Sequence, residues 1–293
     1  MPIGLKYRYF SEGNWSFAVR PERWNDALYR RVLQLVEGQT PSKHPQTLKL
    51  RFPDPKDGSV MYVKVFHRSH GIAALKDLFR RSKAFRFLRQ SVALEQAGFD
   101  VPITIAAGEA RHFRLLLRAF TVTAGIHGQS IPDFLQNYVS ASSGRVTFAE
   151  KRDSIKRLAE QVRRFHALGF IHGDLVPSNI LISDKDEIAR RFYFMDNDRT
   201  RRYPCRPLQW LWKRNLVQLN RFPLPGISLQ DRMRFFCCYL GHRELRAADR
   251  RLLRWLEVKT RQRRKECDAV DATIDFRKLM RWQEKTVSGS QFL

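Results

Sequence analysis

Residues 170–182 read FIHGDLVPSNILI, and a charged turn leads from them to a second apolar run that ends in FMDND at 194–198. The spacing is His-x-Asp-x4-Asn, an apolar strand, a turn, another apolar strand and Asp-x-Asp. Phosphoryl transfer needs such a set: a carboxylate beside the attacking hydroxyl, and oxygen ligands that hold Mg²⁺ against phosphates. An isolated Asp-x4-Asn would be an ordinary turn. Because the flanking strands and the acid pair agree, we interpret this stretch as a phosphotransfer site.

The positions of four side chains predict their roles. Asp174 is the predicted catalytic base, which would accept the proton of the attacking hydroxyl. Asn179 would reach back across the loop to one metal ion. Asp196, at a strand end, would bind the metal that bridges the phosphates of a nucleotide. His172 is predicted to orient the loop through a hydrogen bond to nearby backbone, and not to act as a base.

A lysine upstream completes the predicted site. Lys64 lies in MYVKVF, and strand alternation places it on one face with Tyr62 and Phe66. Taken alone, such a lysine is more often a solubilising residue on an edge strand. Because it precedes the Asp174 cluster, we predict instead that Lys64 clamps phosphate groups.

The first part of the chain has the pattern of short strands around helices. Two strand-like runs flank the turn signal PDPKDG and predict a β-hairpin, and two further strand-like runs follow. A basic amphipathic pattern stops at Gly98, which is typical of a helix with a C-terminal glycine. The predicted elements are strands at 47–52, 60–66, 103–109 and 112–120, and a helix at 72–97.

After residue 120 the pattern becomes helical. Thr147 and Glu150 have the spacing of a capping box, and apolar residues recur behind them at helical spacing. The chain of 293 residues is long enough for two lobes with ligands in the cleft between them. We predict an α+β fold of a small β-rich N-lobe over 1–120, with the Lys64 strand, and a larger helical C-lobe over 121–293, with the catalytic loop 170–182, Asp196 and a basic C-terminal region.

The charge of the chain is strongly unbalanced. It has 54 lysines and arginines against 29 acids, a net charge of +25. Between Arg199 and Lys265 there are 19 basic residues and 4 acids, a difference of +15, and aromatic residues are interleaved with them. A phosphate-bearing acceptor in an anionic leaflet would explain this excess, and so would RNA or DNA. The segment WLWKR at 210–214 suits contact with lipid head groups.

Several classes of protein are not expected. The apolar runs are shorter than the roughly 18 residues of a membrane span, and the N-terminal MPIGLKYRYFSEGNW lacks the apolar core of a secretory signal. The cysteines have neither CxxC nor zinc-ligand spacing, which favours reduced thiols in the cytosol. They are Cys205, Cys237, Cys238 and Cys267.

The motifs HGDLVPSNILI, FMDND and VKVF resemble those of the protein-kinase-like superfamily. Gly173 stands where most protein kinases have Arg, which points to the sugar and small-molecule kinases of that group. Three further stretches are similar to the lipopolysaccharide core kinase (Kdo/WaaP) family, as is the run Asp-x-Asp-Arg from Asp196. They are RNLVQLNR at 214–221, DRMRFF at 231–236 and AGFDVP at 97–102. The resemblance covers about residues 45–245.

The resemblance implies a bilobal kinase-like fold and a phosphotransferase that uses ATP and Mg²⁺. It implies phosphorylation of a heptose or Kdo hydroxyl in the inner core of bacterial lipopolysaccharide, in the cytoplasm or peripherally on the inner face of the inner membrane. The lipopolysaccharide core and the anionic membrane surface are the expected partners, and nucleic acid is not. An atypical protein Ser/Thr kinase is the alternative enzyme, although no Ala-Pro-Glu segment follows Asp198. A pseudokinase or nucleic-acid-binding scaffold is the alternative outside enzymes.

Three departures from the kinase pattern concern the N-lobe. Phe87 stands where a Glu would pair the lysine, and Glu95 is expected to point elsewhere, so Lys64 should be unpaired or find its partner outside that helix. Tyr62 stands where a small residue usually lies under the adenine. The candidate phosphate-covering loops, GQTPSK at 38–43 and SEGN at 11–14, have one glycine each.

Overall fold

The computed structural model describes residues 6–38, 48–67, 80–140, 147–183, 190–204, 207–224 and 226–288. Within these ranges the chain forms eleven strands and seven α-helices. The strands are β1 (Arg8–Glu12), β2 (Trp15–Val19), β3 (Leu48–Pro53), β4 (Val60–His67), β5 (Thr104–His112), β6 (Leu115–Ala124), β7 (Gln129–Ser130), β8 (Phe170–Ile171), β9 (Ile180–Ser183), β10 (Arg191–Phe194) and β11 (Arg201–Arg202). The helices are α1 (Asp26–Glu37), α2 (Lys83–Gln96), α3 (Ile131–Ser140), α4 (Phe148–Ala167), α5 (Gln209–Leu219), α6 (Leu229–Leu240) and α7 (Ala247–Ser288).

The N-lobe is a six-stranded antiparallel sheet with the strand order β1-β2-β5-β6-β4-β3. Alternate residues of β4 point to opposite faces of the sheet. Val63 and Val65 lie in a buried cluster with residues of α1, whereas Phe66 lies in a second cluster with Leu88 and Val92 of α2. Each face of the sheet is therefore covered by one helix, and Lys64, which alternates with Val63 and Val65, lies on the face that α2 covers.

The strands of the N-lobe follow the sequence prediction closely. β3 and β4 form the predicted hairpin, with Lys49 opposite Lys64 in the register, and β5 and β6 are the two further predicted strands. β6 continues to Ala124, four residues past the predicted lobe boundary at 120. The division into 1–120 and 121–293 stays a prediction.

The helix predicted over 72–97 is shorter in the structure. Residues 68–79 lie outside the described ranges, and the helix begins at Lys83 because Ser82 has extended backbone and its hydroxyl accepts a hydrogen bond from the Phe85 amide at 3.3 Å. The predicted C-terminal end is correct: Gly98 has a φ of 75°, the left-handed conformation that glycine favours after a helix.

A cluster of phenylalanine rings forms the centre of the C-lobe core. Phe99, which follows α2, packs against Phe165 of α4, Phe170 of β8 and Phe194 of β10 at ring-centroid distances of 5.3, 5.9 and 5.9 Å. Phe170 and Phe194 lie two residues before the two predicted site segments, 172–179 and 196–198. The cluster therefore packs the predicted catalytic loop and the end of β10 against one common core.

The helices of the C-lobe begin at well-formed caps. The predicted capping box of α4 is present, with the Glu150 carboxylate accepting from the Thr147 amide and the Thr147 hydroxyl accepting from the Glu150 amide. α6 begins with a second box formed by Ser228 and Asp231. Within the ranges that the structure describes, no helix has the length and apolar character required to span a membrane.

A buried ion pair joins α4 to α6. Lys151 Nζ lies 2.8 Å from Asp231 Oδ2, and both residues are less than a tenth exposed. Lys151 also donates to the carbonyl oxygen of Gly226, and Arg234 donates to the other oxygen of Asp231. Because a buried charge that loses its partner keeps its desolvation cost, this pair should be sensitive to the loss of either side.

We therefore expect Lys151→Met to lower the free energy of unfolding by about 3 kcal/mol, as measured by chemical denaturation at neutral pH. Arg157→Met is the matched control on the same helix, because Arg157 forms an exposed pair with Asp153 and such pairs contribute less than about 1 kcal/mol. Equal losses in the two variants would contradict the assignment of the buried pair as a stabilising contact.

Candidate active site

The loop between β8 and β9 contains His172, Asp174 and Asn179. His172 is fully buried, and its Nε2 donates to the carbonyl oxygen of Met195 at 2.8 Å. Burial lowers the pKa of His172, which keeps the imidazole neutral. Because Met195 directly precedes Asp196, this bond ties the loop to the end of β10, in agreement with an orienting role for His172.

Asn179 closes the same loop from its other end. Its side-chain Nδ2 donates to the backbone carbonyl oxygen of Asp174 at 3.0 Å. Its backbone carbonyl oxygen accepts from the backbone amide of Met195 at 2.9 Å. The Asp174 side chain is partly exposed. The loop thus presents the Asp174 carboxylate toward solvent while its backbone is held by Asn179, and the predicted roles of both residues stay predictions.

The predicted lysine and the predicted metal-binding aspartate meet in the structure. Lys64 Nζ lies 2.6 Å from Asp196 Oδ1, a contact between β4 of the N-lobe and the end of β10 in the C-lobe. Burial by itself would raise the pKa of Asp196, but the Lys64 ammonium outweighs it and holds the pKa below its ordinary value. Asp196 has a φ of 54°, a left-handed conformation that aspartate tolerates better than most residues.

The position of Lys64 in the sheet corrects one alternative. β4 lies between β3 and β6, so Lys64 is not on an edge strand and does not serve to block edge pairing. Lys64 Nζ lies 5.4 Å from the centroid of the Phe66 ring, and Lys49 lies 5.5 Å from that of Tyr62. The aromatic neighbours predicted from strand alternation are therefore present on the face of Lys64.

Glu95, the acid near the end of α2, has other partners. It pairs with Arg20 Nη2 at 2.7 Å and with Lys6 Nζ at 3.0 Å. Phe87, at the position where a glutamate was expected, is buried. The expectation that Lys64 takes its partner from outside this helix agrees with the Lys64–Asp196 contact.

The two loops considered for phosphate contact differ in position. The 11–14 segment is the turn between β1 and β2, and three strands (β2, β5 and β6) separate β1 from the Lys64 strand. At about 4.8 Å per strand, this turn is remote from Lys64, so the suggestion that it covers the phosphates is wrong. The other candidate, 38–43, lies outside the described residues except for Gly38.

Two residues of α5 that no sequence motif singled out support the loop. Asn215 Oδ1 accepts from the His172 amide at 3.1 Å, and Gln218 donates from Nε2 to the carbonyl oxygen of Gly173 at 3.0 Å. Gln218 Oε1 accepts from the Asn215 amide at 2.9 Å and from the backbone amide of Leu175 at 3.3 Å. The only sequence signal for them was the RNLVQLNR stretch, which indicated a family but no role.

A buried histidine extends this network. His166 Nε2 lies 3.2 Å from Asn215 Oδ1, and its Nδ1 lies 2.9 Å from the hydroxyl of Tyr239 on α6. Burial lowers the pKa of His166 to about 4, against a weaker opposing effect of the bond to Asn215. The imidazole is therefore neutral at physiological pH, and α4, α5 and α6 converge on the backbone of the catalytic loop.

Gly173 is required by the local geometry. It has a φ of 76°, and an added Cβ would lie 2.7 Å from the carbonyl oxygen of Arg199. An arginine at this position, as in most protein kinases, would strain the backbone and collide with that carbonyl. The close packing of Gly173 against Arg199 therefore explains why this chain lacks the arginine that most protein kinases have here.

The donor set fits a nucleotide-bound magnesium ion. Within the described ranges no three His, Cys, Asp or Glu side chains gather as a metal site on their own. Mg²⁺ is usually bound through one or two protein oxygens together with substrate phosphates and water. The Asp196 carboxylate and the Asn179 amide oxygen are ligands of that kind, and the Met195–Asn179 backbone bond links their two segments.

A separate cavity of about 690 Å³ lies in the C-lobe behind the catalytic loop. Pro177 of the loop forms part of its wall, but Lys64, Asp174 and Asp196 do not. Its walls are mainly apolar, and the buried Thr260 hydroxyl, which lines the cavity, has no hydrogen-bond partner among the residues that the structure describes. Such a cavity has the size and character of a ligand pocket.

Comparison with known proteins identifies the family. The model of the lipopolysaccharide kinase (Kdo/WaaP) family matches residues 60–239, more than half of the chain, and confirms the resemblance seen in the sequence motifs. No curated protein matches the chain.

A solved structure shows a similar fold. A structure described as WaaP in complex with acyl carrier protein has a TM-score of 0.58 and 21% sequence identity, and the match covers 80% of this chain and 96% of that one. A double mutant of the Mycobacterium tuberculosis PknI kinase domain has a TM-score of 0.37 and 12% identity, with 71% and 73% covered. The predicted α+β, protein-kinase-like fold is confirmed.

The support of the loop by α5 leads to a prediction. Gln218→Leu would leave the Gly173 carbonyl and the Leu175 amide without their partner, which costs about 1–3 kcal/mol where groups are buried, and would loosen the placement of Asp174. We expect a drop in kcat with little change in nucleotide affinity. Gln209→Leu, on the exposed first turn of the same helix, is the control. A Gln218→Leu enzyme with unchanged kcat would contradict the positioning role.

Proposed function

This chain belongs to the lipopolysaccharide kinase (Kdo/WaaP) family, and on that premise we propose that it transfers the γ-phosphoryl group of ATP to a heptose or Kdo hydroxyl of the lipopolysaccharide inner core. The family makes the chain a phosphotransferase that uses ATP and a divalent cation. The choice of sugar, and Mg²⁺ as the cation, belong to the proposal. The observation that carries it is the contact of Lys64 with Asp196 beside the Asp174–Asn179 loop.

In the proposed mechanism, Asp174 orients the acceptor hydroxyl and accepts its proton. The side chain is partly exposed, so an acceptor can reach it, while its backbone is fixed by Asn179. His172 keeps the loop against β10 without exchanging protons, because the imidazole is buried and neutral. The base has to be held in place, because it must lie within hydrogen-bond distance of the hydroxyl whose proton it accepts.

The nucleotide half of the proposed site consists of Lys64, Asp196 and Asn179. Bound ATP with Mg²⁺ would supply the phosphoryl group and the metal that neutralises its charge. Asp196 and Asn179 would hold the metal, and the Lys64 ammonium would face phosphate oxygens. Lys64 and Asp196 form an ion pair in this structure. In the proposed complex, phosphate oxygens would take the place of the carboxylate beside Lys64, and the metal would take the place of the ammonium beside Asp196.

The alternatives predict different acceptors. A protein Ser/Thr kinase would phosphorylate peptides, and a scaffold would bind nucleotide or nucleic acid without turnover. Family membership and the complete set of Asp174, Asn179 and Asp196 support a sugar kinase. The excess of basic residues in the last third of the chain suits an acceptor that bears phosphates and carboxylates.

Two variants separate chemistry from nucleotide binding. We expect Asp174→Asn to lose about 10²–10⁴-fold in turnover of purified lipopolysaccharide core while it keeps Mg²⁺-dependent ATP binding. Asp196→Ala should lose the Mg²⁺ dependence of nucleotide binding, whereas Asp198→Ala, two residues further along, should retain it. Titration of nucleotide with and without Mg²⁺ measures the second effect, and mass spectrometry of the product measures the first.

Two results would contradict this assignment. One is near-full activity of Asp174→Asn, which would remove Asp174 as the base. The other is the same metal dependence in wild type and Asp196→Ala. Turnover of a peptide in place of the sugar acceptor would favour the protein-kinase alternative.

A second proposal concerns a protein partner. One similar structure contains an acyl carrier protein, and we propose that this chain also binds one, with the acyl chain in the C-lobe cavity. The support is the cavity itself, about 690 Å³ with mainly apolar walls that include Phe134, Leu158 and Phe236. Arg232 and Arg261 also line it and would suit the phosphate of a phosphopantetheine arm.

The presence of the acyl-bearing arm tests this second proposal. We expect an acyl carrier protein loaded with a long acyl chain to raise the thermal unfolding midpoint, since binding at 100 times Kd adds about 2.7 kcal/mol. The same carrier without its arm should give no shift. An equal shift with both forms would show that the cavity is not used.

A further inference from the structure

Two large apolar side chains are exposed where α5 begins. Leu208 is 66% exposed and Trp210 is 57% exposed. Isolated exposed apolar residues are common, but adjacent large ones beside basic residues mark interaction surfaces. The same helix carries Asn215 and Gln218, which hold the catalytic loop, so this exposed end is structurally connected to the candidate active site.

Basic and aromatic residues surround this end of the helix. Lys213 Nζ lies 5.7 Å from the ring centroid of Trp212 and 5.5 Å from that of Trp255 on α7, which joins the two helices into one surface. Arg214 is exposed one turn after Trp210. We define the α5 surface as Leu208, Trp210, Lys213, Arg214 and Trp255.

The segment of sequence that contains this surface has few acids to balance its basic residues. The segment 199–265 contains four acids against nineteen basic residues. Three of these acids already have partners: Asp231 pairs with Lys151, Asp249 with His242 and Glu257 with Arg261. The segment therefore keeps a large excess of basic residues over acids, which suits an anionic partner.

We propose that the α5 surface docks the chain on an anionic lipid bilayer. Trp and Leu side chains beside Lys and Arg are the combination that binds the boundary between head groups and acyl chains. Nucleic acid would use the charge and stack on tryptophan but has no use for an exposed leucine. The proposal rests on the proposed function, because an acceptor anchored in a membrane has to be met at the membrane surface.

The geometry connects this docking surface to the catalytic loop. Gln218, which donates to the Gly173 carbonyl, lies eight residues after Trp210 on one continuous helix. At 1.5 Å per residue the two are separated by about 12 Å along the axis. A chain seated through the α5 surface therefore holds its catalytic loop close to the bilayer, where a membrane-proximal sugar projects.

Vesicle binding tests the proposal without using kinase activity. The full chain is sedimented with vesicles of phosphatidylglycerol and phosphatidylethanolamine, and separately with vesicles of phosphatidylcholine alone. We expect Leu208→Ser combined with Trp210→Ser to weaken binding to the anionic vesicles by roughly tenfold or more. Phe113→Ser is the matched control, because Phe113 is 86% exposed in the N-lobe between β5 and β6. Circular dichroism verifies that each variant is folded.

Charge reversal gives a second, independent measurement. Each basic residue near an anionic surface contributes roughly a fivefold factor, so Lys213→Glu with Arg214→Glu should weaken binding further and reduce its salt dependence. Equal vesicle binding by wild type and the Leu208/Trp210 variant would overturn the proposal, and so would an equal loss in Phe113→Ser. Loss of RNA binding in place of vesicle binding would assign the surface to nucleic acid. Because vesicles contain no acceptor, failure here leaves the proposed kinase activity separately testable.

Discussion

The backbone of residues 172–175 is the constraint on which the active-site half of this protein depends. These residues run through the C-lobe core between two short strands, and buried backbone groups without partners would cost free energy. The partners are the side chains of Asn215 and Gln218, which bond the His172 amide, the Gly173 carbonyl and the Leu175 amide. These bonds fix the position of α5 relative to the loop. His166 of α4 lies within hydrogen-bond distance of Asn215 and of Tyr239 on α6, so α4 and α6 join the same network.

A second constraint acts between the lobes. Lys64 and Asp196 come from strands 132 residues apart and meet at 2.6 Å. Each charge is partly buried, so each requires an opposite charge nearby. With Lys64 as its partner, Asp196 has a lowered pKa and stays ionised. The contact keeps Asp196 ionised, which is the state that the proposed binding of a metal ion requires.

The features that the sequence predicted correctly are those that residues close together in the chain determine. The Thr147 capping box and the β3–β4 hairpin were predictable because neighbouring residues determine them. The helix predicted over 72–97 begins at Lys83, because Ser82 caps it there. The amphipathic pattern of the sequence extends further toward the N-terminus and hides this start. Asn215 and Gln218 could not be given roles, since they are three residues apart on a helix and their partners lie 43 to 45 residues earlier. The exclusion of the 11–14 turn likewise required the strand order.

The replacement of the expected glutamate by Phe87 follows from how α2 is held. In protein kinases an ion pair between the strand lysine and a helix glutamate reports the position of that helix. Here α2 is fixed by packing: Phe87 is buried, Leu94 joins the Phe99 core cluster, and the helix lies against the Asn197–Arg199 turn. A helix fixed this way does not need Lys64. Phe87 has no carboxylate to offer Lys64, so the contact between Lys64 and Asp196 forms without an acid at that position of α2.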